Sequence, residues 1–138
     1  MTTVGEFMTT RLVTMDGTDT LTAAAQEMRD RSIGDVIVTD GDAVLGIVTD
    51  RDITVRGVAE ELDVDSATLN QILSQDVVTV SQYDDAVAAA DLMRTYGVRR
   101  LPVLEDGRLV GLVSLGDIAV EREPQSVLAD ISADEPNN

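Results

Sequence analysis

Cysteine, histidine and lysine are absent from the 138 residues of this chain, and the first two absences remove whole classes of chemistry. Without cysteine there are no disulfides and no thiolate metal sites; without histidine the commonest general base and the commonest metal ligand are gone. Ser-His-Asp and Cys-His catalysis are excluded. Phe7, Tyr83 and Tyr96 are the only aromatics, so a ligand is not held here between aromatic rings. No apolar run approaches the ~20 residues that span a bilayer, and the start, Met-Thr-Thr-Val-Gly-Glu, lacks the basic stretch of a secretory signal. The expectation is a cytoplasmic protein. Positive charge is scarce as well: 10 basic residues, every one an Arg, stand against 26 acidic ones, for a net charge of -16. Nucleic-acid and anionic-lipid binding depend on Lys and Arg displacing counterions, so neither nucleic acid nor a membrane is expected as a partner.

What the sequence does contain is a repeat. Sliding the chain by 65 residues aligns Thr3–Val55 with Thr68–Val120 without a gap. Val13/Val78, Thr14/Thr79, Asp19/Asp84, Ala23-Ala24-Ala25/Ala88-Ala89-Ala90, Met28/Met93, Gly46/Gly111 and Asp52/Asp117 are identical, and Val4/Leu69, Phe7/Ile72, Ile33/Val98 and Thr49/Ser114 keep their character. Self-similarity at a fixed period marks a duplicated structural unit.

Each copy reads as βαββα. A short amphipathic turn (Val4–Met8; Leu69–Leu73) leads to a brief strand, Leu12–Met15 or Val77–Val80. A helix follows, with Asp19 as N-cap and Leu21, Ala24, Ala25 and Met28 at helical spacing; in the second copy Asp84 precedes Val87, Ala90 and Met93. Two further strands, Val36–Val38 with Val44–Val48 and Leu101–Leu104 with Leu109–Val113, flank Asp-Gly turns suited to tight hairpins. A last short helix starts at Thr49 or Ser114. The domain reading is a first motif over 3–57, a polar linker over 58–67, a second motif over 68–122 and an acidic, mostly disordered tail over 123–138. One copy is too small to cover both faces of its sheet, so the fold expected is α/β (α+β), two βαββα units packed about a pseudo-twofold axis with two clefts.

The segments Gly46-Ile47-Val48-Thr49-Asp50-Arg51-Asp52 and Gly111-Leu112-Val113-Ser114-Leu115-Gly116-Asp117 share the form Gly-apolar-apolar-[Thr/Ser]-x-x-Asp at a strand-to-helix junction. A hydroxyl beside free first-turn amides suits an anion or a sugar oxygen, and the Asp suits a ribose diol. The same spacing is also that of a capping box, in which both side chains satisfy the helix's own amides. Spacing alone leaves both readings open. Asp50 with Asp52, or Asp84 with Asp85, form pairs of the kind used for acid/base work or magnesium, but in so acidic a chain such pairs are commonly solvated surface, and no catalysis is expected.

The two Gly-x-x-[Thr/Ser]-x-x-Asp segments, the run Val98-Arg99-Arg100-Leu101-Pro102-Val103 and the 65-residue spacing resemble the CBS domain family, paired as a Bateman module over Thr3–Val120. Leu21-Thr22-Ala23-Ala24-Ala25-Gln26 with Thr49-Asp50-Arg51-Asp52-Ile53 is similar to stand-alone actinobacterial CBS pairs of the hypoxic-response type. The resemblance implies a non-catalytic regulatory module that requires no cofactor and binds an adenine nucleotide (AMP, ADP or ATP), with room for magnesium beside it. It also implies a homodimer and a protein partner still unknown. Carried onto this chain, one cleft would use Thr49 and Asp52 with Val78, Thr79, Val98, Arg99, Arg100 and Leu101. The other, weaker, would use Ser114 and Asp117 with Val13, Thr14, Ile33, Gly34, Asp35 and Val36. Where one set carries Arg99 and Arg100 the other carries Gly34 and Asp35; a guanidinium chelates phosphate and a carboxylate repels it. The alternative class is a ligand-free interaction module acting through its homodimer, in which the motifs are caps only.

Overall fold

The structure, a computed structural model, describes residues 2–73 and 77–122; the expectation for the tail 123–138 lies outside them. The described residues divide into two compact units, one within residues 13–77 and the other made of residues up to 12 together with 78–122. The units therefore do not coincide with the sequence copies: each takes a short segment from the copy to which the rest of it does not belong.

In the unit of residues 13–77, β1 (Thr14–Asp16) is followed by α1 (Leu21–Arg31), β2 (Asp35–Asp40) and β3 (Ala43–Thr49). A short α2 (Asp50–Asp52) runs on as a π-helical turn, Ile53–Val58, and α3 (Leu69–Ile72) closes the unit. β1 lies parallel to β2, and β3 antiparallel to it, in the order β1-β2-β3. Helix α1 turns Leu21, Ala24 and Met28 inward onto Val36, Val38 and Val48 of the sheet and onto Ile53, Leu69 and Ile72. Ala25, expected on that face, is exposed. The N-cap is Thr20, whose hydroxyl accepts from the Ala23 N–H at 3.1 Å, and not Asp19. The Asp19 carboxylate instead accepts from the Asp16 N–H at 3.0 Å and holds the preceding turn. In that turn Asp16 accepts from the N–H and the hydroxyl of Thr18 at 2.9 and 2.8 Å, which holds its carboxyl below the ordinary range.

In the other unit, the 3-10 turn Val4–Glu6 joins α4 (Ala86–Tyr96), β4 (Arg100–Glu105), β5 (Arg108–Ser114) and α5 (Leu115–Arg122). Val4, Ala86, Ala89, Ala90, Met93, Leu101, Val103, Val113 and Ile118 form its core. The strand expected at Val77–Val80 shrinks to one bridge, Val80 to Val103, and the sheet here has two strands, β4 and β5. Pro102 is the reason. In the first copy the Ile37 N–H donates to the Val13 carbonyl at 3.0 Å and starts the β1–β2 ladder; the residue matching Ile37 is Pro102, which has no N–H to give.

The hairpins also diverge. Gly41 alone has positive φ (59°) in the β2–β3 loop, the pattern of a type II′ turn, whereas Asp106 and Gly107 (51° and 79°) give β4–β5 the type I′ pattern.

Helix α1 ends on Ser32 in the left-handed region (φ 55°, ψ 46°), where α4 ends on Gly97 (φ 66°, ψ 30°). A Cβ is strained there and glycine is not. The left-handed conformation costs an L-residue about 1–2 kcal/mol and glycine's extra chain entropy offsets about 0.5–1 kcal/mol of that, so Ser32→Gly should raise stability by up to about 1 kcal/mol, read as a higher urea midpoint at unchanged slope. A lower midpoint would mean that the Ser32 side chain supports the cap.

The exchanged segments make matching contacts. In the first, the Val4 N–H donates to the Asp84 carbonyl (2.9 Å), the Gly5 N–H to that of Gln82 (2.8 Å) and the Ala86 N–H to that of Thr2 (2.9 Å). Sixty-five residues on, Leu69 donates to Asp19 (2.9 Å), Asn70 to Gly17 (2.9 Å) and Leu21 to Ala67 (3.0 Å). Among the described residues no helix is long and apolar enough to cross a membrane.

Candidate functional site

Strand direction gathers the candidate residues at one end of each sheet. In the unit of residues 13–77, β1 and β2 begin where β3 ends, so Val13, Thr14, the run Ile33–Val36 and the turn Thr49–Asp52 lie at the same end of the sheet, with the run beside the turn. Thr49 pairs directly with Asp35, the Asp50 N–H donates to the Gly34 carbonyl at 2.9 Å, and the Val13 carbonyl takes the Ile37 N–H. Val36 is buried, Asp35 and Thr49 are half-buried, and Asp50 is exposed.

The other unit repeats this with different charges. Arg100 pairs with Ser114, the Leu115 N–H donates to the Arg99 carbonyl at 2.8 Å, and the Asp117 N–H donates to the Ser114 hydroxyl oxygen at 3.1 Å. Val78 and Thr79 lie just ahead of the Val80–Val103 bridge, at this same end, and Val98 enters it from α4 through a bond from its N–H to the Met93 carbonyl (2.9 Å). Leu101 is buried, Arg100 and Ser114 are half-buried, and Arg99 and Asp117 are exposed. Within each unit, then, the hydroxyl–carboxylate turn neighbours the strand residues of its own copy: Thr49–Asp52 stands beside Gly34 and Asp35, and Ser114–Asp117 beside Arg99 and Arg100.

The two turns are held differently. Thr49 and Asp52 form a complete capping box: the Asp52 N–H donates to the Thr49 hydroxyl oxygen at 3.1 Å, and the Thr49 N–H donates to the Asp52 carboxylate at 2.9 Å. At Ser114 the described residues show the first of these bonds only. The carboxylate pairs weighed for acid/base work serve the backbone. Asp50 accepts from the Arg51 N–H (2.8 Å), Asp84 from the Ser81 N–H (2.9 Å) and Asp85 from the Val87 N–H (3.1 Å). Among the described residues no group of three or more acidic side chains is disposed to hold a metal ion.

The glycine that opens each motif has a role that sequence did not assign. A Cβ on Gly111 would lie 2.6 Å from the Met8 sulfur and 3.1 Å from the Thr9 carbonyl oxygen; one on Gly46 would lie 3.0 Å from Leu73 Cδ1. Met8 and Leu73 are themselves matching positions of the repeat. At both glycines the close approach is made by the exchanged segment, and the signal for it in the sequence was that all four positions fall on one 65-residue offset.

The CBS domain family model matches residues 4–57 and 69–123. Hypoxic response protein 1 of Mycobacterium tuberculosis is 34% identical over 134 residues, covering 96% of this chain and 94% of that protein. An uncharacterized protein of Methanopyrus kandleri is 36% identical over 126 residues, 90% of this chain, which spans 64% of that relative's length. Among solved structures, Hypoxic Response Protein I with two coordinated zinc ions superposes with a TM-score of 0.79 at 36% identity, covering 88% of this chain and 99% of that one. The CBS domain pair of protein MJ0100, in complex with 5′-methylthioadenosine and S-adenosyl-L-methionine, shares the fold (TM-score 0.79, 23% identity, 91% and 99% covered). This chain has neither the histidine nor the cysteine that zinc most often takes.

Proposed function

Because this chain belongs to the CBS domain family, as a tandem pair of CBS motifs, we propose that it is a non-catalytic sensor that binds an adenine nucleotide and passes that state to a protein partner. One observation carries the reading: the β4–β5 register lays Arg100 against Ser114, so that Arg99, Arg100, Ser114 and Asp117 all lie at the same end of one sheet. Two guanidiniums suit a phosphate, a hydroxyl at the first turn of α5 suits a further phosphate or sugar oxygen, and the Asp117 carboxylate suits a ribose diol. The proposal differs from the sequence expectation in giving Arg99 and Arg100 the turn of their own copy as neighbour. Thr49 and Asp52 stand beside Asp35 and are assigned the weaker site, for a ligand with less negative charge. Support for adenosine recognition in this fold comes from the MJ0100 pair and its two adenosine compounds. Any magnesium would enter with the nucleotide's phosphates.

A second reading, an interaction module without ligand that works through a homodimer, has its own support. The complete capping box shows Thr49 and Asp52 already satisfied by each other, and Val55, Val58 and Leu62 leave apolar side chains exposed along one stretch of chain.

A thermal-shift panel of AMP, ADP, ATP, adenosine, 5′-methylthioadenosine and S-adenosyl-L-methionine, with and without magnesium, separates the two. A ligand at 100 times its dissociation constant adds about 2.7 kcal/mol, which moves the midpoint of a domain of this size by several degrees. The expected order is ADP or AMP well above adenosine. A flat panel would leave only the interaction reading.

A further inference from the structure

Three backbone bonds seat the two exchanged segments at matching positions, and both segments carry a capping box, Thr3 with Glu6 and Thr68 with Gln71. The glycines they pass over, Gly111 and Gly46, are the same as well. Nothing in that framework tells one segment from the other. The side chains do. At one position of each seat a glycine faces an amide, and the sense is reversed between units. Gly17 faces Asn70, whose Oδ1 would lie 2.1 Å from a Cβ on Gly17; Gly5 faces Gln82, whose own Cβ would lie 3.3 Å from a Cβ on Gly5. Gly5 matches Asn70 in the repeat, and Gly17 matches Gln82.

We infer that these inverted pairs, with Val4 against Leu69 and Phe7 against Ile72, form a steric key that fixes which segment seats on which unit. Seated on the wrong unit, Asn70 would meet Gln82 at a surface position where each seat now has one amide over a glycine, and Gly5 would meet Gly17 with no side chain between them. Val4 and Leu69 are both fully buried, so exchanging them adds a methylene to one closed pocket and removes one from the other. Either change is felt in a packed interior. Phe7 is half-buried whereas Ile72 is buried, so the aromatic ring has no matching room in the second seat. The key is independent of whether a nucleotide binds. It explains how a chain with two halves of the same pattern reaches one connectivity: the exchanged arrangement is the one in which every small residue faces a large one.

A double-mutant cycle in the full chain tests it. Gly5→Asn alone is expected to lower the thermal midpoint by about 5 °C or more, and Gln82→Gly alone to lower it by less. The double variant should lie well above the sum, because Asn and Gly then face each other as they do at residues 70 and 17. If Gly5→Asn does not fold, Gly5→Ala with Gln82→Gly runs the same cycle more gently, and Asn70→Gly with Gly17→Gln runs it on the other unit. A segment variant, Val4→Leu with Gly5→Asn and Phe7→Ile, should fall further and be partly rescued by Gln82→Gly. Strictly additive losses in both cycles, or a segment variant with the parental midpoint, would overturn the key.

Discussion

Removing residues 1–9 should unfold the far half of the sequence. Hydrogen exchange on such a chain is expected to show β4, β5 and α4 losing protection while β2 and β3 keep theirs. Five backbone bonds disappear with the segment: those of Val4, Gly5 and Ala86 to Asp84, Gln82 and Thr2, and the reciprocal pair between Thr9 and Leu112. Ala86 at the start of α4 and Leu112 on β5 lose their partners. Val4 is fully buried, and Phe7 and Met8 pack on the same core. Burying an aliphatic side chain contributes about 1.5–3 kcal/mol and a typical hydrogen bond about 1 kcal/mol. The loss is thus on the order of 5 kcal/mol or more, comparable with the ~5–15 kcal/mol that holds a whole domain. The unit of residues 13–77 keeps its own seated segment, Thr68 to Leu73, and none of these contacts belongs to it. Wild-type protection in β4 and β5 after the truncation would contradict the exchange.

The repeat, the order of elements and the hairpins were legible because they rest on local patterns. Alternating valines and isoleucines mark β2 and β3, Asp and Gly mark their turns, and a fixed offset of 65 carries each assignment to the second copy. Ala25 and Val87 were placed inside because a helical period read from three or four apolar residues fixes a face only to within about one residue. The cap moved from Asp19 to Thr20 for a similar reason: two capping residues stand side by side, and the choice depends on which bond the preceding turn takes. The missing third strand beside β4 was readable from Pro102, once the Ile37 bond to Val13 identified the donor that proline lacks. The exchange of the two segments was not legible. Val4 and Leu69 are apolar wherever they seat, and no local pattern states which copy supplies the pocket. At the candidate site the motifs named the turns and strand ends, but the pairing of Arg100 with Ser114 was not legible, because it requires the whole register of a hairpin that shifts between Val103 and Leu104.

Arg100→Ala should weaken binding of AMP or ADP by about 10- to 100-fold while leaving adenosine binding nearly unchanged. A charge-assisted hydrogen bond contributes about 1.5–3 kcal/mol, and each 1.4 kcal/mol is tenfold in affinity. The contribution is large here because a net charge of -16 leaves a phosphate little else to be attracted to, so the local guanidiniums must offset the repulsion of the rest of the surface. Affinity should accordingly depend on salt in two ways: screening weakens the Arg–phosphate attraction and also the general repulsion. Arg100→Lys keeps the charge but not the paired donors, and should fall between wild type and Arg100→Ala. In the other unit the matching residue is Asp35, beside Thr49; Asp35→Arg is expected to bring a phosphate-bearing ligand to a turn that otherwise disfavours it. Calorimetric titration with AMP and with adenosine, run side by side on all four proteins, separates the outcomes. Equal losses for both ligands in Arg100→Ala would mean that the side chain supports the fold of the turn, and no loss for either would remove it from the site.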